Sequence, residues 1–275
     1  MYQGFYINLS RDAERREALT KHLQEIGAAS RYQRFEAIDG RAVAHQYNTQ
    51  LDPAGLGCWL SHLNVLCANR SPAAHLHIIE DDTIFAKSAL ADFELILQYC
   101  ETESKEWDLI FTDVSITPEL RTFQQFLAVV AEHERARDCS VVSLTGIPFA
   151  GTNSYFVNKR SVEKLADLLE ANSRSGVPID IYLRALVTQK LVKAFVTVPF
   201  LTTLCLESWR SKISTDRELS QFLYHVYRRA FFLEADRESL LAEMDRLTSG
   251  TTLPTLPSLY LKFLSFYLSD RWVPF

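Results

Sequence analysis

The fold and the candidate chemistry of this chain are both indicated by one stretch, His75-Leu76-His77-Ile78-Ile79-Glu80-Asp81-Asp82. Its apolar part is short, as in a strand buried inside a sheet, and it ends in three adjacent carboxylates. Neighbouring negative charges repel one another and lose hydration, so the arrangement is costly unless a divalent cation or hydrogen bonds offset the charge. We therefore expect the chemistry to centre on residues 80–82, the acidic cluster.

An ordinary structural explanation of the acidic cluster is a helix cap or a solvated turn. The buried strand that precedes the cluster argues against it, because ligands of open α/β sheets bind beyond the carboxyl ends of the strands. A cation bound there is expected to be Mg²⁺ or Mn²⁺, since both prefer oxygen ligands.

Strands and helices alternate along residues 1–215 and predict an α/β domain with a Rossmann-type, mostly parallel sheet and helices on both faces. The main strands are expected at residues 4–8, 34–38, 75–80, 107–111, 140–144, 153–157 and 192–198. A charged helix at residues 118–137 is expected to be a surface insertion. Residues 216–275 are predicted to form a helical, aromatic-rich C-terminal extension. Its tail, residues 253–275, either packs on the α/β domain or contacts a membrane interface.

Net charge, cysteine content and apolar segments predict which partners and which location this chain has. A net charge of -5 gives no overall attraction to nucleic acid, so we expect no nucleic-acid partner. The five cysteines are odd in number and form no zinc-like spacing with the seven histidines, which is typical of reduced thiols in the cytoplasm. Without a signal-peptide pattern or a spanning apolar segment, the expected location is cytoplasmic, with peripheral inner-membrane contact only through the tail.

A divalent cation on such a cluster suits displacement of a diphosphate, because the cation neutralises charge on the leaving group. Neither a Walker sequence nor a dinucleotide fingerprint is present to hold phosphates by backbone amides. An aspartyl-phosphate mechanism is disfavoured, because Glu80 stands where its nucleophilic aspartate is required.

Four segments follow one another along the chain: Ile7–Arg11 with Glu14–Arg16, Phe35–Gly40, Gly57–His62 and Ile79–Asp82. In this order they resemble the signatures of glycosyltransferase family 25, which includes bacterial lipooligosaccharide and collagen galactosyltransferases. Weaker similarity continues through Gly151–Tyr155 and Val177–Asp180. The resemblance implies a GT-A-like catalytic domain over residues 1–215. It also implies inverting transfer of galactose or glucose from a UDP-sugar to a saccharide hydroxyl, here of a bacterial lipooligosaccharide or another surface glycan. Two alternatives to transfer remain: a metal-dependent nucleotide-sugar phosphohydrolase, and a catalytically silent sugar-binding protein.

The resemblance also implies roles for individual residues. It implies that Asp82 is the direct ligand of Mn²⁺ or Mg²⁺ and that Glu80 contacts the metal's waters or the donor ribose. The residues implied in donor binding are Asn8, Arg11, Arg15, Ser61, His62, Glu80 and Asp81. For Arg15 a solvated helix face is an equal alternative. The late histidine ligand of many such enzymes is missing between residues 198 and 217, which leaves Glu207 or no third protein ligand.

Inversion requires a general base that takes the proton of the acceptor hydroxyl. Asp180 is the first candidate, although an aspartate before a helical pattern is also an ordinary N-cap. Asp113, which follows a predicted strand, is the second candidate.

Overall fold

The architecture of the chain comes from a computed structural model that describes residues 1–116, 140–205, 226–236 and 238–242. The predicted helix at residues 118–137, Glu207, the tail at residues 253–275 and most of the predicted extension lie outside the described residues. The expected mixed α/β architecture is confirmed.

The described elements follow the predicted alternation of strands and helices. The strands are β1 Tyr2–Asn8, β2 Tyr32–Glu36, β3 His75–Glu80, β4 Thr83–Phe85, β5 Leu109–Phe111, β6 Ser115–Ile116, β7 Ser140–Ser143, β8 Phe149–Ala150, β9 Ser154–Val157, β10 Ala194–Val198 and β11 Thr202–Leu204. The helices are α1 Ala13–Glu25, α2 Gly40–Val43, α3 Pro53–Ala68, α4 Ala89–Thr102, α5 Val162–Ala171 and α6 Ile179–Thr188, with short 3₁₀ turns at Ala29–Arg31 and Ala44–Gln46.

Seven strands form the central sheet, in the order β2-β1-β3-β9-β5-β10-β7. β2, β1, β3, β5 and β10 run in one direction, whereas β9 and β7 run in the other. The mostly parallel sheet is therefore confirmed, with one reversed strand in its interior. Two small antiparallel ladders, β4 with β11 and β6 with β8, lie beside it.

Helices cover both faces of the sheet. α1 and α4 pack on one face, where the aromatic side chains of Tyr2 and Tyr6 point. α3, α5 and α6 pack on the other face against Phe5 and Ile7 of the same strand. Alternate residues of a strand point to opposite faces, so a strand buried between two helical layers is apolar throughout. This explains the continuous apolar runs of the sequence.

The strand ends bring distant segments to one edge of the sheet. Ile7 lies opposite Glu80 in the parallel pairing of β1 with β3. Because β9 is antiparallel, the segment that precedes it lies at this same edge, and Glu80 N–H donates to the Asn153 carbonyl at 2.8 Å. The reversed strand thus places residues 151–153 beside the acidic cluster.

The described part of the C-terminal extension packs on the α/β domain. Val226, Tyr227 and Phe231 are buried in the core on the α3 face, and Phe232 forms a β-bridge with Phe200. Within the four described ranges, no helix has the length and apolar character that a bilayer span requires.

We predict that Gly57→Ala destabilises the fold. A Cβ atom at Gly57 would lie 2.6 Å from the Ile38 carbonyl oxygen and 2.9 Å from the Gly40 nitrogen, and backbone atoms cannot move aside cheaply. The free energy of unfolding should fall by about 1–3 kcal/mol in urea denaturation. Gly55→Ala on the same helix is the control, because its nearest neighbour is an Asp52 side-chain oxygen at 3.3 Å. Equal stability of both variants would contradict the close approach.

Candidate functional site

The acidic cluster is held by groups from β1 and α1. Asn8 donates from Nδ2 to Asp81 Oδ2 at 2.7 Å, and Arg34 Nε donates to Asn8 Oδ1 at 3.1 Å, which fixes the orientation of the amide. Arg15 contacts Asp81 at 2.9 Å and Asp82 at 2.6 Å. Arg15 thus bridges two carboxylates, while 44% of its side chain remains exposed on α1.

The acidic cluster carries more negative charge than its neighbours offset. Burial, reinforced by the nearby Glu80 carboxylate and opposed by Arg15, raises the pKa of Asp82 to about 7. Burial also raises the pKa of Asp81. Asp82 Oδ1 is buried and has no hydrogen-bond partner among the described residues. A buried, unpartnered carboxylate oxygen suits a hard divalent cation, so these residues fit Mn²⁺ or Mg²⁺.

Glu80 faces a different set of groups. Its Oε1 accepts a hydrogen bond from Thr152 Oγ1 at 3.0 Å and lies 3.5 Å from His62 Nε2. Burial raises the pKa of Glu80, but the contacts with His62 and Thr152 outweigh it and leave the pKa below its ordinary value. His62 Nδ1 lies 2.9 Å from the Tyr155 hydroxyl. Glu80 is therefore ionised, whereas Asp82 retains its proton up to about neutral pH.

A first cavity of about 310 Å³ lies on the β1 side of the acidic cluster. It is lined by six of the seven residues predicted to bind a donor, Arg11, Arg15, Ser61, His62, Glu80 and Asp81. Asn8, the seventh, is buried, and it orients Asp81. Ser61 donates to the Gly57 carbonyl at 2.6 Å and accepts from Ile38 N–H at 2.8 Å. Its hydroxyl therefore ties α3 to the loop that forms the cavity wall.

A second cavity of about 260 Å³ lies on the other side of the acidic cluster. Glu80, Asp82, Asp180 and Arg228 line it together. Asp180 accepts hydrogen bonds from Gly151 N–H at 2.9 Å and Ile181 N–H at 2.8 Å, which fix the direction of its carboxylate in the first turn of α6. Of the two predicted base candidates, Asp180 is therefore the one at a cavity wall.

The other candidate, Asp113, is fully buried and lines neither of these two cavities. It lies 3.4 Å from Arg228, whose Nε also donates to Ser115 Oγ at 2.8 Å. Burial raises the pKa of Asp113, and Arg228 opposes the shift. The carboxylate of Asp113 thus holds the guanidinium of Arg228 at the second cavity.

Sequence reasoning missed Arg228 and did not assign roles to Thr152 and Tyr155. Arg228 lies beyond the predicted domain boundary at residue 215, in a region without a recognisable motif. Thr152 and Tyr155 lie in the weakly similar segment Gly151–Tyr155, which was the only signal for them. Their roles depend on the reversed direction of β9, which the sequence pattern does not encode.

A third cavity, of about 700 Å³, lies at the opposite edge of the sheet. Two of its lysines are paired with carboxylates: Lys164 contacts Asp108 at 2.8 Å, and Lys193 contacts Glu106. Trp107 and His75 pack against each other in its wall. None of the described side chains that line this cavity has a buried nitrogen or oxygen atom without a hydrogen-bond partner, whereas Asp82 has one, so the acidic cluster is the better candidate site.

Residues 1–183 match the model of glycosyltransferase family 25, described as an LPS biosynthesis protein. The matched segment covers two thirds of the chain and includes the acidic cluster, the first cavity and Asp180, whereas Arg228 lies outside it. The chain therefore belongs to glycosyltransferase family 25.

Proposed function

We propose that this glycosyltransferase inverts the anomeric carbon while it transfers galactose or glucose from a UDP-sugar to a saccharide hydroxyl in lipopolysaccharide or related surface-glycan synthesis. A GT-A-like organisation of the sheet is part of this proposal. The observation that carries it is the pair of cavities on either side of one acidic cluster. The first is walled by arginines that suit a diphosphate, and the second contains a carboxylate that suits an attacking hydroxyl.

The first cavity suits the nucleotide part of the donor. Arg15 provides positive charge at the acidic cluster, Arg11 pairs with Asp39 in the cavity wall, and residues 37–41 also line this cavity. Asp82 and Glu80 would hold Mn²⁺ or Mg²⁺, which supplies charge neutralisation at the departing diphosphate. The phosphates are thus expected to lie in the first cavity, beside Arg15 and the bound metal, with the hexose towards the second cavity.

The second cavity suits the acceptor and the base. Asp180 would take the proton of the acceptor hydroxyl while the hydroxyl oxygen attacks the sugar on the face opposite the diphosphate. Arg228 adds a buried positive charge to the wall of the second cavity, where it lowers the pKa of Glu80 and opposes the rise in the pKa of Asp82. A saccharide is the proposed acceptor, and nucleic acid is not an expected partner. If the protein contacts a membrane, residues 253–275 are the proposed contact.

Release of UDP separates transfer from the two alternative functions. With a UDP-hexose and Mn²⁺, we expect UDP release to be slow alone and strongly increased by a saccharide acceptor. The expected glycosidic product has the opposite anomeric configuration to the donor, which NMR of the product measures. Equal UDP release with and without acceptors would indicate a phosphohydrolase. Tight UDP binding without release would indicate a silent binding protein.

Asp180→Asn should remove catalysis without removing donor binding. The amide keeps the size of the side chain but cannot accept a proton, so we expect kcat to fall about 10²–10⁴-fold. The Kd for UDP, measured by calorimetry, should not change. Asp167→Asn is the control, because Asp167 lies on α5 and pairs with Arg70 at the surface. Near-normal turnover of Asp180→Asn would exclude Asp180 as the base.

Asp82 should make the metal-free protein less stable at high pH. Its carboxyl pKa rises from 3.8 to about 7 on folding, so between these values the folded state holds a proton that the unfolded state has lost. The free energy of unfolding therefore decreases as pH rises through this range. Asp82→Asn has no carboxyl group to lose a proton, so its stability should not fall in this way. With EDTA near pH 8, its free energy of unfolding should exceed that of the wild type by up to a few kcal/mol.

Urea denaturation at about pH 4 and about pH 8 measures this difference. Mn²⁺ should stabilise the wild type near pH 8 more than it stabilises Asp82→Asn, because the cation replaces the proton on a ligand that the variant lacks. Wild-type stability that does not depend on pH between these values would contradict the buried-carboxyl account.

A further inference from the structure

Three side chains converge on the wall between the two cavities: Cys58 and His62 from α3, and Glu80 from the end of β3. Each provides a ligand atom, and these atoms lie within 4.8 Å of one another. Cys58 and His62 are four residues apart, so they lie on the same face of the helix. Cys58 and Glu80 line both cavities.

His62 is oriented as a metal ligand would be. Its side chain is only 1% exposed, and its Nε2 has no hydrogen-bond partner within the described part of the chain. The other nitrogen, Nδ1, is fixed by the Tyr155 hydroxyl at 2.9 Å, and the two rings stack. A bound cation would require the tautomer with the proton on Nδ1, so that the lone pair of Nε2 binds the cation in place of the proton that faces Glu80 in the metal-free protein. Metal-ligating histidines are held by an outer hydrogen bond in this way.

A buried nitrogen without a partner costs about 1–3 kcal/mol, so a ligand at this point would relieve a real penalty. The nearest candidate, Glu80 Oε1 at 3.5 Å, is too distant for a good hydrogen bond. It is, however, at the separation of two ligands of one ion, since tetrahedral Zn²⁺ bonds of about 2.0–2.3 Å place neighbouring ligand atoms roughly 3.5 Å apart.

The donor set identifies the class of ion. A thiolate and an imidazole are poor ligands for Mg²⁺ or Mn²⁺ but are the preferred ligands of Zn²⁺. We propose that Cys58, His62 and Glu80 form a three-ligand site for a zinc-class divalent cation, with the fourth coordination position open to the cavities. Binding replaces the thiol proton of Cys58, which leaves to solvent.

This site differs from the proposed Mn²⁺ or Mg²⁺ site in its chemistry. Asp82 provides only oxygen and lies on the other side of Glu80, which is the one residue common to both. Three protein ligands and an open position are typical of exchangeable or catalytic zinc sites, whereas structural zinc sites have four protein ligands. The fourth ligand is then a water molecule or an oxygen of a bound anion. The inference concerns binding of the bare ion and does not rest on the proposed transfer activity.

Co²⁺ is the probe, because thiolate coordination to cobalt produces a charge-transfer absorption that oxygen and nitrogen ligands do not. Metal-free full-length protein titrated with Co²⁺ should develop this band with one equivalent per chain, and one equivalent of Zn²⁺ should remove it. Cys58→Ser should lose the band. Cys67→Ser should retain it, since Cys67 is a half-buried cysteine of the same helix outside the triad.

Circular dichroism verifies the fold of each variant. If Cys58→Ser does not fold, His62→Gln and Glu80→Gln replace it, and each should weaken Co²⁺ binding at least tenfold. Absence of the band in the wild type, or its survival in Cys58→Ser, would overturn the proposal. A wild type that transfers sugar with Mn²⁺ but shows no cobalt band would reject this site and leave the proposed function intact.

Discussion

The structure depends on one electrostatic constraint: three carboxylates are held at the end of a single buried strand. Arg15 bridges Asp81 and Asp82, and Arg228 brings a second cation from far along the chain. These contacts do not fully offset the charge, since Asp82 still has a pKa of about 7. A fold selected for stability alone would replace such a cluster, because unpaired buried charge is expensive. The negative charge that these arginines do not offset therefore indicates a ligand-binding site.

The topology of the sheet brings other segments of the chain to the acidic cluster. The reversed β9 lies between β3 and β5, so the segment before it meets the carboxyl end of β3. Thr152 consequently reaches Glu80, and Gly151 reaches Asp180. On the other side, Gly40 and Gly57 permit a backbone approach that no side chain would allow. The acidic cluster thus separates two cavities that differ in their chemistry, a condition for binding two different substrates.

The sequence predicted those features that local patterns encode. Buried strands appear as apolar runs, and the acidic cluster at residues 80–82 was correctly placed at a sheet edge. The direction of β9 was not predictable, because a strand buried on both faces has the same composition whether it is parallel or antiparallel. Arg228 was missed for a related reason: its partner Asp113 is 115 residues earlier, and no local pattern records a pairing of such length.

Glu80 connects the two halves of the site. One half contains the carboxylate oxygens of Asp82, and the other contains Cys58 and the imidazole of His62. A cation on either half would draw the same carboxylate, so binding at one would change the ligand set of the other unless Glu80 bridged both. The hydrogen bond from Thr152 to Glu80 Oε1 restrains that carboxylate on the His62 side. On the two proposals, the balance between a hard and a soft cation would therefore depend on the orientation of Glu80, which Thr152 in the segment before β9 restrains.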